Sequence, residues 1–143
     1  MAASPAIFIA DADFLAGLPD LKAGSPEAVA VAKLANAGRL VTIREAKDHA
    51  EESYQAVVNF PAFQAITVLP SYRKLKALAR TLASSMPAIG LSRHYNFCDL
   101  AVAAMALQNA AGIATTPLRQ GFYAGFKPPL KSKAVCVSDL TTA

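Results

Sequence analysis

A chain of 143 residues with 54% hydrophobic and 17% charged side chains carries enough apolar material for one packed domain, read here as residues 1–143. That balance excludes a disordered tail. Mean hydropathy is +0.32, but the longest apolar stretch, Leu100 to Ala114, carries Gln108 and Asn109 and follows Asp99. It is too short and too polar for a span of about 20 apolar residues. The start, MAASPAIFIADAD, meets Asp11 before any Lys or Arg and so lacks the basic region of a secretory signal. The expectation is a cytoplasmic protein with no membrane segment.

Cys98 and Cys136 cannot make a disulfide framework, and with His49 and His94 standing alone no spacing suits zinc. Both cysteines read as buried small hydrophobes. The formal net charge of +4 hides an asymmetry. Residues 1–71 hold five basic against eight acidic side chains, a net −3, whereas residues 72–143 hold nine against two, a net +7. An acidic half joined to a basic half suits a cation site beside a phosphate-binding surface, and it equally suits two solvated faces.

In chain order, Ala6 to Ala10 (AIFIA) reads as a strand buried on both faces. Asp11-Ala12-Asp13 and a short helical turn follow, then breakers at Gly17, Pro19 and Gly24. Ser25-Pro26-Glu27 opens a helix, with Ser as cap, Pro at the first position and Gly38 at the end. Arg39 to Thr42 reads as a second strand. Thr42 then caps a helix running to about Val58, with Glu45, Asp48 and Glu52 on its polar face. AITVL, between Pro61 and Pro70, is a connection or an edge strand.

Ser71 to Ser85 has helical periodicity, with Leu75, Leu78, Ala79 and Leu82 on one face and Arg73, Lys76 and Arg80 opposite. Asn96 caps a helix from Phe97 to about Ala110 that is apolar nearly all round and therefore central. Ile113 to Thr116 and Lys133 to Val137 read as strands, joined by a long loop rich in Gly, Pro and Lys. Strands alternating with helices imply right-handed crossovers, hence a three-layer α/β/α sandwich around a mainly parallel sheet.

In such a sheet, ligands bind beyond the carboxyl ends of the strands. Asp11 and Asp13 follow the first strand, Asp48 lies in the helix behind the second, and Asp99 opens the helix that feeds a later one. Carboxylates crowded there repel one another unless a cation neutralises them, and an all-oxygen ligand set suits Mg²⁺ or Mn²⁺. Such an ion activates water and stabilises charge developing on a phosphodiester. Each acid alone equally suits a cap or first-turn residue that complements the helix dipole.

These residues resemble a PIN domain, the metal-dependent ribonuclease fold of many bacterial toxins. IFIADADFLAGL is similar to its opening pattern, a hydrophobic strand followed by Asp, a small residue and a second polar residue. AGRLVTIREAKDHAEES resembles the segment that delivers the second acid, and NFCDLAVAAMALQNAAG the segment that delivers the third. GFYAGFKPPLKSKAVCVSDL resembles the closing loop and strand. The resemblance implies a catalytic, metal-binding set of Asp11, Asp48 and Asp99, with Glu45 and Glu51 as rivals of Asp48, and Asp13 and Thr116 in support. It further implies Mg²⁺ or Mn²⁺ as cofactor, cleavage of single-stranded or structured RNA, a homodimer and an antitoxin partner. The chain departs from the family where Thr-x-Asp is usual, reading Thr115-Thr116-Pro117-Leu118-Arg119 with no acid before Asp139.

Arg73, Lys76, Arg80 and Arg119 suit a phosphate track, with Arg93, Lys127 and Lys131 near it. Tyr95, Phe122, Tyr123 and Phe126 suit stacking on unpaired bases, although aromatics there also suit packing of the loop. The leading expectation is an endoribonuclease in which a metal-activated water attacks the RNA phosphate. The missing acid favours a second reading, a PIN fold without catalysis that binds RNA or a protein. A phosphoacceptor signalling domain fits less well, since no Asp ends a central strand with a Lys after a late one.

Overall fold

The computed structural model describes residues 7–53, 61–70, 75–84, 97–124 and 134–142. Five short strands form one sheet: β1 (Phe8–Ala10), β2 (Leu40–Ile43), β3 (Thr67–Leu69), β4 (Gly112–Ala114) and β5 (Ala134–Val135). Their order is β3-β2-β1-β4-β5, and every pairing is parallel. The chain therefore builds outward from β1 to one edge, then returns to the other side of β1 for β4 and β5. Ile9 is paired with Val41 on one side and Ile113 on the other. All three are buried, as expected for a strand covered on both faces.

The helices are α1 (Ala12–Ala16), α2 (Pro26–Asn36), α3 (Arg44–Ser53), α4 (Pro61–Ala65), α5 (Leu75–Ser84), α6 (Phe97–Gln108) and α7 (Pro117–Ala124). A 3₁₀ turn over Leu18–Asp20 follows α1, and another over Val137–Thr142 follows β5. On one side, α2 packs on β2, α4 and the last 3₁₀ turn. On the other, α6 packs on β1, β4, α3 and α5, and α1 packs on α3. This is the three-layer α/β/α sandwich that the alternation of strands and helices implies.

Local chemistry explains most boundaries. The Ser25 hydroxyl accepts the Ala28 N–H at 3.2 Å, capping α2 with Pro26 at its first position. Gly38 leaves that helix at φ +72°, a left-handed turn that favours glycine. The all-round apolar character of α6 is matched by burial of every residue from Asp99 to Ala106. AITVL contributes β3, an edge strand, as one of its two expected roles.

Three local expectations are corrected. Thr42 does not cap α3: it lies within β2, and its hydroxyl donates to the Ala10 carbonyl at 2.9 Å. Pro61–Ala65 is a short helix before β3. The segment after β4 is not all loop, because Pro117 opens α7, whose first turn is closed by the Arg119 and Gln120 N–H groups on the Thr116 carbonyl. Proline hides the helix in a glycine-rich stretch, although it is well suited to a first helical position. The expected cap Asn96, and the extension of α3 from Tyr54 to Val58, lie outside the described residues.

Candidate acidic pocket at the switch point

In a parallel sheet with right-handed crossovers, each helix starts at the carboxyl edge of the strand before it. Strand order reverses between β1 and β4, which opens a crevice at their carboxyl ends. Asp11 follows β1 directly and Thr115 follows β4 directly. The Asp11 N–H donates to the Ala114 carbonyl at 3.0 Å, joining the two strand ends. Helices α1, α3 and α7 begin at this edge, as does α6, which runs back down the sheet to feed β4. Asp13 therefore arrives on α1, Asp99 in the first turn of α6, and Arg119 in the first turn of α7.

Asp11 is the most enclosed of these groups, with no exposed surface. Its Oδ1 accepts the Phe14 N–H at 2.8 Å, so it caps α1. Its Oδ2 accepts the Thr115 hydroxyl at 2.5 Å and the Tyr123 hydroxyl at 2.9 Å. Burial pushes the Asp11 carboxyl up to about 7, opposed by the Thr115, Phe14 and Tyr123 hydrogen bonds and reinforced by the charge of Asp99. Burial also raises the Tyr123 phenol well above its ordinary value, and the charges of Asp11 and Asp99 act in the same sense. Tyr123 is thus a hydrogen-bond donor across the physiological range.

Arg119 draws the other two acids together. Its Nε–H donates to Asp13 Oδ2 at 3.0 Å, and its Nη1 lies 3.1 Å from Asp99 Oδ2. The Asp99 side chain is only 3% exposed, and those of Arg119 and Asp13 are 18% and 25% exposed. Burial by itself would lower the Arg119 guanidinium, but Asp99 and Asp13 outweigh it and hold it above its ordinary value. The charge is secured by its partners.

The expected site residues separate into two groups. Asp11, Asp13 and Asp99 meet at the crevice. Asp48 sits about 4.5 Å further along α3 than Glu45, half-exposed, and pairs with Arg44 at 3.7 Å. Glu45 occupies the first turn of α3, at the carboxyl edge of β2, with its Oε2 buried. Glu51 lies on the same helix, partly buried. Thr116 caps α7 through its carbonyl, while its neighbour Thr115 supplies the hydroxyl to Asp11.

Arg119, expected in a loop as a phosphate contact, is instead a helical residue turned inward onto two carboxylates. Tyr123, for which base stacking and packing were both expected roles, is buried against Asp11. Lys76 and Arg80 are exposed on α5, as a solvated basic stripe requires. Arg73, Arg93, Tyr95, Phe126, Lys127 and Lys131 lie outside the described residues.

A divalent ion bound through carboxylates needs several oxygens free to converge on one point. Both Asp11 oxygens are already engaged by protein donors, Asp13 accepts a hydrogen bond from the guanidinium, and Asp99 stands in an ion pair with it without hydrogen-bond geometry. Asp48 is half-exposed and lies 3.7 Å from the exposed Arg44, a surface pair worth little. Among the described residues, no group of three or more His, Cys, Asp or Glu side chains is arranged to hold a metal ion. As engaged in this arrangement, the oxygens of Asp11, Asp13 and Asp99 do not fit Mg²⁺ or Mn²⁺. Among the described residues, no helix is long and apolar enough to cross a membrane. No protein-family model matches the chain, and no curated protein matches it.

Proposed function

We propose that this chain is a PIN-like domain that binds RNA without hydrolysing it and works in the cytoplasm. The observation that carries this reading is the state of Asp11. In the nuclease expectation Asp11 is the first metal ligand, yet here its two oxygens accept one backbone and two hydroxyl donors at the junction of β1 and β4. A carboxylate so engaged, with its proton affinity raised to about 7 by burial, serves as a structural keystone. RNA is favoured as the partner by the net +7 of residues 72–143 and by the exposed Lys76 and Arg80 on α5, the helix packed on α6.

The metal-dependent endoribonuclease is the second reading. Its support is the arrival of Asp11 and Asp13 at the start of α1 and of Asp99 at the start of α6 at one switch point. One experiment separates the two. Purified protein is titrated with fluorescent single-stranded and hairpin RNAs at several salt concentrations, and the same RNAs are incubated with Mn²⁺ or with EDTA. The binding module gives salt-sensitive binding, weakened several-fold in K76E/R80E, and intact RNA throughout. Cleavage that needs Mn²⁺ and disappears in D11N establishes the ribonuclease instead. Intact RNA with no binding at low salt removes both.

A further inference from the structure

The acidic pocket has a cation of its own. Asp13 on α1 and Asp99 on α6 stand on separate elements, and a guanidinium from a third element, α7, touches both at 3.0 and 3.1 Å. We propose that Arg119 is the resident cation of this pocket, doing for Asp13 and Asp99 the charge-neutralising work that the fold resemblance assigns to a divalent metal, so that the folded domain is metal-independent.

The argument is one of charge and place. Asp99 is almost wholly buried, and an ionised carboxylate is held in such a position only against a partner charge. Arg suits the task because its planar, permanently charged fork reaches two carboxylates from one side chain. It arrives from the stretch where the usual acid is missing, Thr115-Thr116-Pro117-Leu118-Arg119. The same helix carries Tyr123, four residues on from Arg119, and Tyr123 closes over Asp11. One face of α7 therefore delivers a positive charge to two acids and a neutral donor to the third. The Gln120 side chain donates to the Ala134 carbonyl at 2.9 Å, fastening α7 to β5.

This inference rests on the non-hydrolytic part of that reading but not on RNA binding, so its test uses no nucleic acid. Thermal unfolding of the full chain is followed in EDTA and in millimolar Mn²⁺, for wild type, D99N, R119Q and R119Q/D99N. Equilibrium dialysis counts bound Mn²⁺ in the same samples. The expected result has four parts: a wild-type Tm equal in EDTA and Mn²⁺, no stoichiometric Mn²⁺ on the wild type, a loss of at least about 5 °C in R119Q, and partial recovery of that loss in R119Q/D99N. Recovery is the signature of an uncompensated charge, because the neutral amide that D99N introduces needs no cation.

A wild-type Tm raised by Mn²⁺, or one bound Mn²⁺ per wild-type chain that D99N abolishes, overturns the proposal. So does an R119Q loss that D99N leaves unchanged or deepens, since Arg119 would then matter for packing and not for charge. If R119Q does not fold, folded R119Q/D99N supports the proposal, and an unfolded double variant overturns it.

Discussion

At the residue scale the chemistry concentrates on Asp11. Its carboxyl titrates near 7 in the folded protein, against about 3.9 in an unfolded chain. The folded state holds the proton more tightly, so the stability from this group is fully present below about pH 4 and is lost as pH rises through 7. Unfolding in urea at pH 5 and pH 8 should show lower stability at pH 8. The difference should shrink in Asp11→Asn, where the side chain no longer ionises. Thr115→Val removes the strongest hydrogen bond favouring the charged form and should move the titration above 7, as read from carboxyl NMR shifts. Tyr123→Phe should shift it the same way by less. Asp11 was legible in the sequence because a hydrophobic run ending in Asp is local information. Its partners were not, because Thr115 and Tyr123 lie more than 100 residues away and only the β1–β4 pairing brings them near.

The elements show how far capping and patterning carry. Ser25→Ala should cost about 1 kcal/mol by removing the α2 cap. Gly38→Ala should cost about 1–2 kcal/mol, since φ is +72° and the added methyl meets nothing within 4 Å, leaving backbone strain alone. Gly17→Ala is the control. Its φ is −82° and the nearest atoms to the new methyl are at 3.6 Å, so stability should change by no more than about 0.5 kcal/mol. Chemical denaturation of the three variants checks the set. Ser25, Pro26 and Gly38 announce α2 from local sequence alone. By contrast, α7 hides in a stretch with two glycines and three prolines between β4 and β5. Its helix is held by contacts that periodicity cannot show: Tyr123 on Asp11, Gln120 on β5 and Arg119 on two acids.

Across the whole molecule, the sheet order decides what meets. Ile113 lies on β4, pairs with Ile9, and has no exposed surface. Ile113→Ala should cost about 2–5 kcal/mol, whereas Val29→Ala, at a side chain 57% exposed on α2, should be near neutral. Urea midpoints of the two variants test whether stability sits at the β1–β4 junction. The same junction underlies the acidic cluster, where the Asp11 N–H on the Ala114 carbonyl holds Asp11 and Thr115 in register.

By itself the sequence determined the α/β alternation, the buried parallel strands, the central α6 and the presence of acids at strand and helix starts. Those features are encoded in spacing along the chain, at a period of two or of 3.6 residues and in caps within a single turn. Tertiary structure alone decided which charges meet. Asp48 and Glu45 differ by three positions on one helix, and the fold places the Asp48 carboxylate in a half-exposed pair with Arg44. Arg119 reads as one more basic residue in a basic half, yet the switch point turns it onto Asp13 and Asp99. The sign of a charge is local, but its partner is set by the pairing of strands far apart in the chain.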